Sequence, residues 1–384
     1  MAGLKLRPGG RPRVLMGHPW VFQGEVQKLL SSEMDGELAE CRDSRGTFLG
    51  CGLYNSRSQI VWRRIFRNKQ ELNQETLKEL LVKAISRRSD EPVRRLVWSE
   101  SDHLPGLIVD QYNHVVVIQT LTLGLDKRLP WIVDSLKNLL KPESIVVRND
   151  ISIRKLEGLE ESVSVAFGPT PERQWVKIGS IDFYLDFLEG QKTGFYLDQR
   201  AEYTHVAALA QGRDVLDTFC NQGGFALHCA QAGAKSVLGV DLSESAITQA
   251  RINAEKNGLK GDFEVRNIFD FFRNAAAQKK KWGLIILDPP PFARSKDKLA
   301  EAWRGYKELH LQAMRHLEPG GILTTYSCSH HITREIFGDI VADAAADARR
   351  DTRILRMVTQ PSDHPVLLQV PESEYLNGLI LEVE

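Results

Sequence analysis

The chain has 384 residues, of which 42% are apolar and 26% charged, a composition typical of a folded globular protein. It contains no run approaching the roughly 18 apolar residues of a membrane span, and its first residues lack the apolar core of a signal peptide. These features predict a cytoplasmic protein without membrane partners, and the length predicts two or three domains.

Residues 1–70 are predicted to form a small β-barrel. Three β-rich runs, WVFQGEV, GTFLGCGLYN and IVWRRIF, are separated by Gly, Pro and Asn. The segment holds twelve Lys and Arg against six Asp and Glu, a net charge of +6 that leaves −6 for the remainder. Basic residues interleaved with aromatic ones are typical of RNA binding, although a solvated basic face over an aromatic core is the alternative. The residues predicted to contact RNA are Lys5, Arg11, His18, Trp20, Arg63 and Arg64.

Residues 71–189 are predicted to form a central α+β domain. A helical pattern begins near Gln74 and ends at the charged sequence RRSDEP. The strand-like runs GLIVD and VVVIQTL follow, then a second helix from about Asp126 to Leu140, and further strands IVVR, WVKI and IDFYLDF. No part of this stretch has the pattern of a catalytic site, so we interpret it as a scaffold or an additional grip on RNA.

From residue 190 onward, short apolar strands alternate with helices. The strands are DVLDTF, SVLGVD, FEVRN, GLIILD and GILTTYS, and the helical stretches include ESAITQARINAEKNG and EAWRGYKELHLQAMRHL. This alternation predicts an α/β fold with a mainly parallel sheet covered by helices on both faces. Ligands of such sheets bind at the carboxyl ends of the strands, so the strand-end residues form the candidate site.

The first two strands end in a pattern typical of nucleoside binding. The first ends in Asp217 and leads to the pair Gly223-Gly224, where glycine lets the backbone approach a ligand. The second ends at Asp241, whose carboxylate can accept hydrogen bonds from both ribose hydroxyls. Nicotinamide and adenosylmethionine enzymes share this pattern. The sequence has no G-x-G-x-x-G to cradle a pyrophosphate, which favours S-adenosylmethionine.

The next two strands end in groups suited to chemistry on a base. GLIILD ends at Asp288 before three prolines, which cannot donate to a sheet ladder, and a carboxylate there can hold the Watson-Crick edge of an inserted base. GILTTYS runs into Cys328, and a thiolate that adds to carbon 6 of cytosine makes carbon 5 nucleophilic. A lone strand-end cysteine is more often a packing residue, as we interpret Cys220. The place of Cys328 one strand beyond Asp-Pro-Pro favours catalysis.

Several motifs in a fixed order give the whole chain a family resemblance. They are GHPWVFQGEV near the start, KTGFYLDQR before the cofactor turn, DPPPF with RGYKEL, SCS at the fifth strand, and DHPV followed by YLNGL near the end. With these motifs the chain resembles the PUA-domain-containing 23S ribosomal RNA cytosine-5 methyltransferases that have one catalytic cysteine. The resemblance implies a PUA-like barrel, a central α+β domain and a class I, Rossmann-like methyltransferase domain, at residues 1–70, 71–189 and 190–384.

The resemblance also implies roles for individual residues. Cys328 would be the nucleophile and Asp288 would hold the base, with S-adenosylmethionine as cofactor. The residues expected around the cofactor are Gln199, Arg200, Asp217, Phe219, Asn221, Gly223, Gly224, Asp241, Leu242, Asn267 and Asp288. Two positions depart from the family pattern: Asn267 stands where an acid commonly lies near the adenine amino group, and Pro291 replaces the second cysteine of two-cysteine enzymes. Another group must therefore remove the carbon 5 proton.

These observations predict an enzyme that forms 5-methylcytosine in large-subunit ribosomal RNA through a Cys328–carbon 6 adduct. Two alternatives stay open: a base N-methyltransferase acting on RNA, for example at guanine, and a non-catalytic RNA-binding assembly factor that keeps the fold. Ribosomal RNA is the expected partner, and a homodimer is left open. The five cysteines form no C-x-x-C pair, so no metal site is expected and the thiols are predicted to be free.

Overall fold

The computed structural model describes residues 2–10, 12–292, 298–329 and 331–384. The chain divides into two compact units, each built from separate stretches of sequence. The first unit comprises Met1–Arg173, Leu185–Leu197 and Ser362–Ser373, and the second comprises Gln174–Tyr184, Asp198–Pro361 and Glu374–Glu384. The three-part division predicted from the sequence stays a prediction.

The N-terminal part of the first unit is a small β-sheet domain. Its strands are β1 (Gly3–Lys5), β2 (Trp20–Val21), β3 (Leu38–Arg42), β4 (Phe48–Tyr54) and β5 (Trp62–Phe66), in the order β1-β3-β4-β5-β2. Its core includes the fully buried Tyr54 and Trp62, so these two aromatic side chains take the core alternative. The sequence pattern did not predict β3, because this strand contains the charged residues Glu40 and Arg42. Their side chains pair with each other at 2.9 Å.

The rest of the first unit is an α+β domain. Its elements are α1 (Gln74–Ile85), β6 (Val93–Trp98), β7 (Leu107–Tyr112), β8 (Val115–Thr120), α2 (Leu123–Asp126), α3 (Leu129–Leu140), β9 (Ser144–Arg148) and β10 (Val163–Phe167), with the sheet order β10-β9-β8-β7-β6. The predicted start of α1 is confirmed, and the Asn73 side chain caps it by accepting from the Thr76 N–H at 3.0 Å. The predicted second helix is two helices, because Pro130 occupies the first turn of α3.

The second unit contains the predicted strand and helix alternation. Its elements are β11 (Gln174–Ile178), β12 (Ile181–Leu185), α4 (Arg200–Ala207), β13 (Asp214–Asp217), α5 (Gly224–Gln231), β14 (Ser236–Asp241), α6 (Glu244–Lys256), β15 (Asp262–Val265), α7 (Ile268–Ala277), β16 (Trp282–Leu287), α8 (Leu299–His316), β17 (Leu317–Ser327), α9 (Arg334–Ala348), β18 (Thr352–Val358) and β19 (Asn377–Val383). Its main sheet has the order β15-β14-β13-β16-β17-β19-β18. The strands run parallel except β19, which is antiparallel to both neighbours.

The order of strands creates a switch point beside β13. The chain adds β14 and β15 on one side of β13 and then returns to add β16 and β17 on the other. Connections that leave in opposite directions open a crevice at the carboxyl ends of the central strands, where ligands of such sheets bind. The hairpin of β11 and β12 joins this unit at α6. The side chains of Asn253 in α6 and of Asn257, which follows it, accept from the backbone N–H groups of Tyr184 and Asp182.

Candidate active site

Four predicted site residues come together at the carboxyl edge of the main sheet of the second unit. Asp217 ends β13, Asp241 ends β14, Asp288 follows β16 and Cys328 follows β17. The register brings them to one edge, because Asp217 pairs with both β14 and β16, and the last pair of β16 and β17 joins Leu287 to Thr325. Asp288 and Cys328 therefore lie one and three residues beyond that pair on adjacent parallel strands.

Asp217 is the most deeply placed of these carboxyl groups. It is fully buried, and its Oδ2 accepts from the Ala226 N–H at 3.1 Å. Among the described residues, its Oδ1 has no hydrogen-bond partner. Burial, reinforced by the nearby carboxylates of Asp288 and Asp241, raises the pKa of Asp217 to about 8. Asp217 is therefore poised to lose its proton when a cationic ligand binds beside it.

The turn after β13 depends on backbone conformations that favour glycine. Gly223 has a φ of +87° and caps the start of α5. A Cβ on Gly224 would lie 2.8 Å from Cζ of Tyr203, so a side chain there would displace that ring. Asn221 also has a positive φ, of +46°, and its Oδ1 accepts from the Gln222 N–H at 2.7 Å. The glycine at position 224 therefore allows α5 to pack closely against Tyr203.

Asp241 and Leu242 form an amphipathic corner at the end of β14. The Asp241 carboxylate is oriented by two backbone donors, Asn221 N–H to Oδ2 and Ser243 N–H to Oδ1, both at 2.9 Å. Each carboxylate oxygen keeps a second lone pair for a ribose hydroxyl. The adjacent Leu242 side chain is 66% exposed, which is a suitable surface for a base such as adenine. Sequence reasoning missed Ser243, although its helix-capping position after Asp241 is a recognisable signal.

The remaining predicted cofactor residues have different environments. Asn267 caps α7, with its Oδ1 accepting from the Phe269 N–H at 2.9 Å and the Asp270 N–H at 3.4 Å. Its carbonyl is therefore already used, and its amide NH₂ is the group left to contact adenine. Gln199 is buried, and its Oε1 has no hydrogen-bond partner in the part of the chain that the structure describes.

Two further predicted cofactor residues are Arg200 and Phe219. Arg200 is the first residue of α4 and is half-buried. Phe219 is also half-buried and packs against the core of the main sheet. Both positions are in the second unit, as are all the other predicted cofactor residues.

Cys328 and Cys220 differ in burial. Cys328 is half-buried and is not part of a disulfide. Cys220 is 3% exposed, and burial, followed by the charges of Asp217 and Asp241, raises its pKa well above the ordinary value. Because a thiolate is the reactive form, the accessible Cys328 is the better nucleophile of the two, and Cys220 packs as predicted.

The edge fits S-adenosylmethionine on three observations. The Asp241 carboxylate, oriented by two backbone donors, suits a ribose. The buried oxygens of Asp217 and Gln199 have no hydrogen-bond partner within the described ranges, so they are acceptors for a ligand's donors. Carboxyl groups at this edge also complement the positive charge of a sulfonium.

The residues predicted to bind RNA are mostly turned inward in the first unit. His18 is 2% exposed, with Nδ1 accepting from the Trp20 N–H and Nε2 3.2 Å from Glu372. The Trp20 indole N–H donates to Glu100 at 2.8 Å. Both His18 ring nitrogens therefore already have partners and almost none of the ring is exposed, and its contact with RNA stays a prediction.

The two arginines of β5 are also committed to internal contacts. Arg63 pairs with Glu157 at 2.9 Å, and both side chains are nearly buried. Arg64 is 7% exposed and donates to the Gly17 carbonyl, and burial lowers its pKa to about 10. Both guanidinium groups are therefore used in internal contacts, and contact of Arg63 and Arg64 with RNA stays a prediction. Of the other predicted contacts, Lys5 is exposed on β1, and Arg11 lies outside the described residues.

Two family models and a close relative match the chain. A PUA-like domain matches residues 4–67 and a methyltransferase domain matches residues 209–362. The ribosomal RNA large subunit methyltransferase I of Aeromonas hydrophila is 38% identical, over 99% of this chain and 99% of its own. The chain belongs to the ribosomal RNA large subunit methyltransferase I family. As a member of this family it is a methyltransferase.

Two solved structures have the same fold as this chain. A protein of Streptococcus mutans named as a SAM-dependent methyltransferase has a TM-score of 0.85 at 19% identity, with 100% of both chains covered. A methyltransferase crystallised with S-adenosylhomocysteine has a TM-score of 0.86 at 20% identity, with the same coverage. The predicted fold, a PUA-like β-domain and an S-adenosylmethionine-dependent methyltransferase fold, is confirmed.

Two features are absent from the described ranges of this family member. No helix within them has both the length and the apolar character needed to cross a membrane. Within the same ranges, no three His, Cys, Asp or Glu side chains are grouped so as to hold a metal ion.

Proposed function

We propose that this enzyme methylates carbon 5 of a cytosine in large-subunit, 23S-type ribosomal RNA, with S-adenosylmethionine as methyl donor and Cys328 as nucleophile. The observation that carries the proposal is the placement of Asp288 and Cys328 beyond one register pair of adjacent parallel strands. The relatives' name supports ribosomal RNA as the substrate. Localisation in the cytoplasm, where ribosomal RNA lies, stays part of this proposal.

The chain's own residues divide the work of binding. Asp241 holds the ribose of the cofactor and Leu242 packs against its adenine. Asp217 and Gln199 offer buried acceptors to its polar groups. When bound, S-adenosylmethionine supplies an electrophilic methyl group on a sulfonium. The Asp288 carboxylate accepts from the exocyclic amine of a cytosine that has been taken out of its stack.

The covalent step balances with Cys328 as the attacking group. The thiolate forms a bond to carbon 6, and the electron pair of the 5,6 double bond moves to carbon 5, which takes the methyl group. Carbon 5 then loses its proton to a base, the electron pair restores the double bond, and the carbon–sulfur bond to Cys328 breaks. The products are 5-methylcytosine, a regenerated thiolate and a neutral thioether.

The first test of this function compares two cysteine variants. We expect Cys328→Ala to abolish 5-methylcytosine formation, measured by mass spectrometry of ribosomal RNA, while calorimetry still detects S-adenosylmethionine binding. Cys51→Ala, which alters a fully buried cysteine of the barrel, is the matched control and is expected to stay active. Formation of 5-methylcytosine by Cys328→Ala would contradict the covalent route.

A trapping experiment examines the adduct directly. In RNA containing 5-fluorocytosine, carbon 5 carries fluorine instead of hydrogen, so deprotonation is blocked and the Cys328 adduct persists. We expect a stable protein–RNA complex with the native chain and none with Cys328→Ala. Methylation of a guanine nitrogen instead of cytosine would support the N-methyltransferase alternative. A chain that binds no S-adenosylmethionine would support the assembly-factor alternative.

A further inference from the structure

Tyr306 is a fully buried residue of α8, within the RGYKEL motif, that the proposed chemistry does not yet use. Its ring centroid lies 4.6 Å from that of Phe292 and 6.0 Å from that of Phe337. Gly305 makes room for the first contact, because a Cβ there would lie 3.2 Å from the Phe292 ring. The Tyr306 ring is therefore fixed against the Asp-Pro-Pro-Pro-Phe loop.

The Tyr306 hydroxyl contacts the Ser-Cys-Ser turn. Its oxygen is 3.1 Å from Ser327 Oγ and 3.5 Å from Ser329 Oγ, the residues on either side of Cys328. Because β16 and β17 are adjacent parallel strands, one buried side chain joins two neighbouring loops. Its ring packs on the Asp-Pro-Pro-Pro-Phe loop, and its hydroxyl contacts the Ser-Cys-Ser turn.

His310, one turn further along α8, fixes the same helix to β17. Its Nδ1 lies 2.6 Å from the Tyr306 carbonyl oxygen and its Nε2 2.7 Å from Thr325 Oγ1. Burial lowers the pKa of His310 to about 4, so the ring is neutral at pH 7. Its Nδ1–H then donates to the carbonyl, and its Nε2 accepts from the Thr325 hydroxyl. The backbone of Tyr306 is therefore anchored close to the turn that its hydroxyl contacts.

We propose that Tyr306 is a positioning residue: its hydroxyl, carried on a ring that packs against the Asp-Pro-Pro-Pro-Phe loop, holds Cys328 in register with Asp288, so that a cytosine bound at the carboxylate meets the thiolate. This inference rests on the proposed function. Nucleophilic attack requires the reacting atoms to approach within about 3–3.5 Å, and a shift of about 1 Å can lower the rate on the order of 100-fold. The Tyr306 side chain acts on Asp288 and Cys328 through the two loops that it contacts.

The test is a tyrosine variant that keeps the ring. Tyr306→Phe retains the packing on Phe292 and Phe337 and removes only the hydroxyl. We expect kcat for 5-methylcytosine formation to fall about tenfold or more, whereas KM for S-adenosylmethionine changes by less than about twofold. Tyr54→Phe is the matched control, because it removes a hydroxyl that donates to the Leu30 carbonyl at 3.1 Å in the barrel. Its kcat is expected to be that of the native chain.

A second variant removes the same contact from the other side. We expect Ser327→Ala to lower kcat as Tyr306→Phe does, and the double variant to be little worse than either, because both changes break one hydrogen bond. An unchanged kcat in Ser327→Ala would overturn the proposal even if Tyr306→Phe did not fold. Fully additive losses, or equal losses in kcat and in cofactor affinity, would overturn it as well.

The trapping assay separates failure of this inference from failure of the proposed function. If the native chain forms no adduct with 5-fluorocytosine RNA, the covalent function is wrong. If the native chain and Tyr306→Phe form the adduct at the same rate, the function stands and the positioning role of Tyr306 is wrong. We expect a rapid adduct with the native chain and an adduct about tenfold slower or more with Tyr306→Phe.

Discussion

The carboxyl edge of the methyltransferase sheet and the N-terminal barrel hold their charged residues in different ways. At the edge, backbone N–H groups orient the carboxyl groups of Asp217 and Asp241. In the barrel, Arg63 pairs with the Glu157 carboxylate and Arg13 makes two contacts with Glu372. A backbone dipole orients a carboxylate without cancelling its charge, whereas an ion pair uses the charge of both partners.

This difference shows where charge is available for a ligand. The barrel was predicted to bind RNA because of its count of Lys and Arg, but a count does not distinguish a solvated cation from a paired one. The sheet edge was predicted from position, because parallel strands bring their carboxyl ends to one edge. Position therefore predicts which side chains lie together, whereas composition does not predict which cations are unpaired.

The largest expected effect breaks the internal pairing of the barrel. Arg63→Ala would leave Glu157, whose side chain is 4% exposed, without its guanidinium partner. Removing one partner of a nearly buried ion pair costs about 3 kcal/mol, so we expect a loss of stability of that size in denaturant unfolding. Arg45→Ala, which alters an exposed arginine of the same domain, is the control and is expected to change stability by less than about 0.5 kcal/mol.

The opposite outcome would support Arg63 as a residue that contacts RNA. Unchanged stability of Arg63→Ala, together with weaker and less salt-dependent RNA binding, would mean that its charge faces the solvent in solution. Arg63→Ala and Arg45→Ala would then have the same effect on stability.

Short-range signals predicted most of the second unit. Apolar periodicity located α6 and α8, and strand-like runs located β13 to β17, because these elements are specified by local sequence. Strand ends then identified the site, since a parallel sheet converts separation in sequence into proximity at one edge. The S-adenosylmethionine-dependent methyltransferase fold could be predicted from this alternation and the family motifs.

Long-range partners could not be predicted in the same way. The partner of His18 and Arg13 is Glu372, more than 350 positions away in the sequence, and no local pattern links them. The bridging position of Tyr306 also depends on two loops that meet only in the folded unit. Its motif was recognised, but an aromatic residue on a helix is typical of core packing. Such contacts depend on the folded chain and not on spacing.

A second prediction concerns the buried carboxyl group of Asp217 at the sheet edge. The pKa of Asp217 is raised from 3.8 to about 8 in the folded chain without ligand. Between those values the folded state keeps a proton that the unfolded state has lost, so stability falls as pH rises through this window and levels off above it. The slope can reach about 1.4 kcal/mol per pH unit. We expect Asp217→Asn, which keeps an acceptor for the Ala226 N–H, to flatten it in unfolding measurements from pH 5 to 8.

The same strand offers a control for this prediction. Asp214 begins β13, and hydrogen bonds from Lys235 and Ser236 lower its pKa. Because its contribution changes only as pH falls toward acid values, Asp214→Asn should leave the slope between pH 5 and 8 as it is in the native chain. Equal slopes in the native chain and Asp217→Asn would show that Asp217 ionises normally, and the contrast between edge and barrel would lose its electrostatic basis.

The smallest expected effect is on the salt dependence of RNA binding, and it tests which lysines of the barrel contact RNA. Lys28 is exposed and, with Arg7, lines a surface cavity of about 350 Å³, whereas Lys69 pairs with Glu40 at 2.9 Å. Each phosphate contact contributes about 0.7–0.9 to the slope of log affinity against log salt concentration. If exposed, uncompensated cations make those contacts, Lys28→Gln should reduce the slope by about that amount, and Lys69→Gln should leave it nearly unchanged. Filter-binding titrations at several salt concentrations measure both, and equal reductions would mean that the number of cations, whatever their pairing, determines RNA affinity.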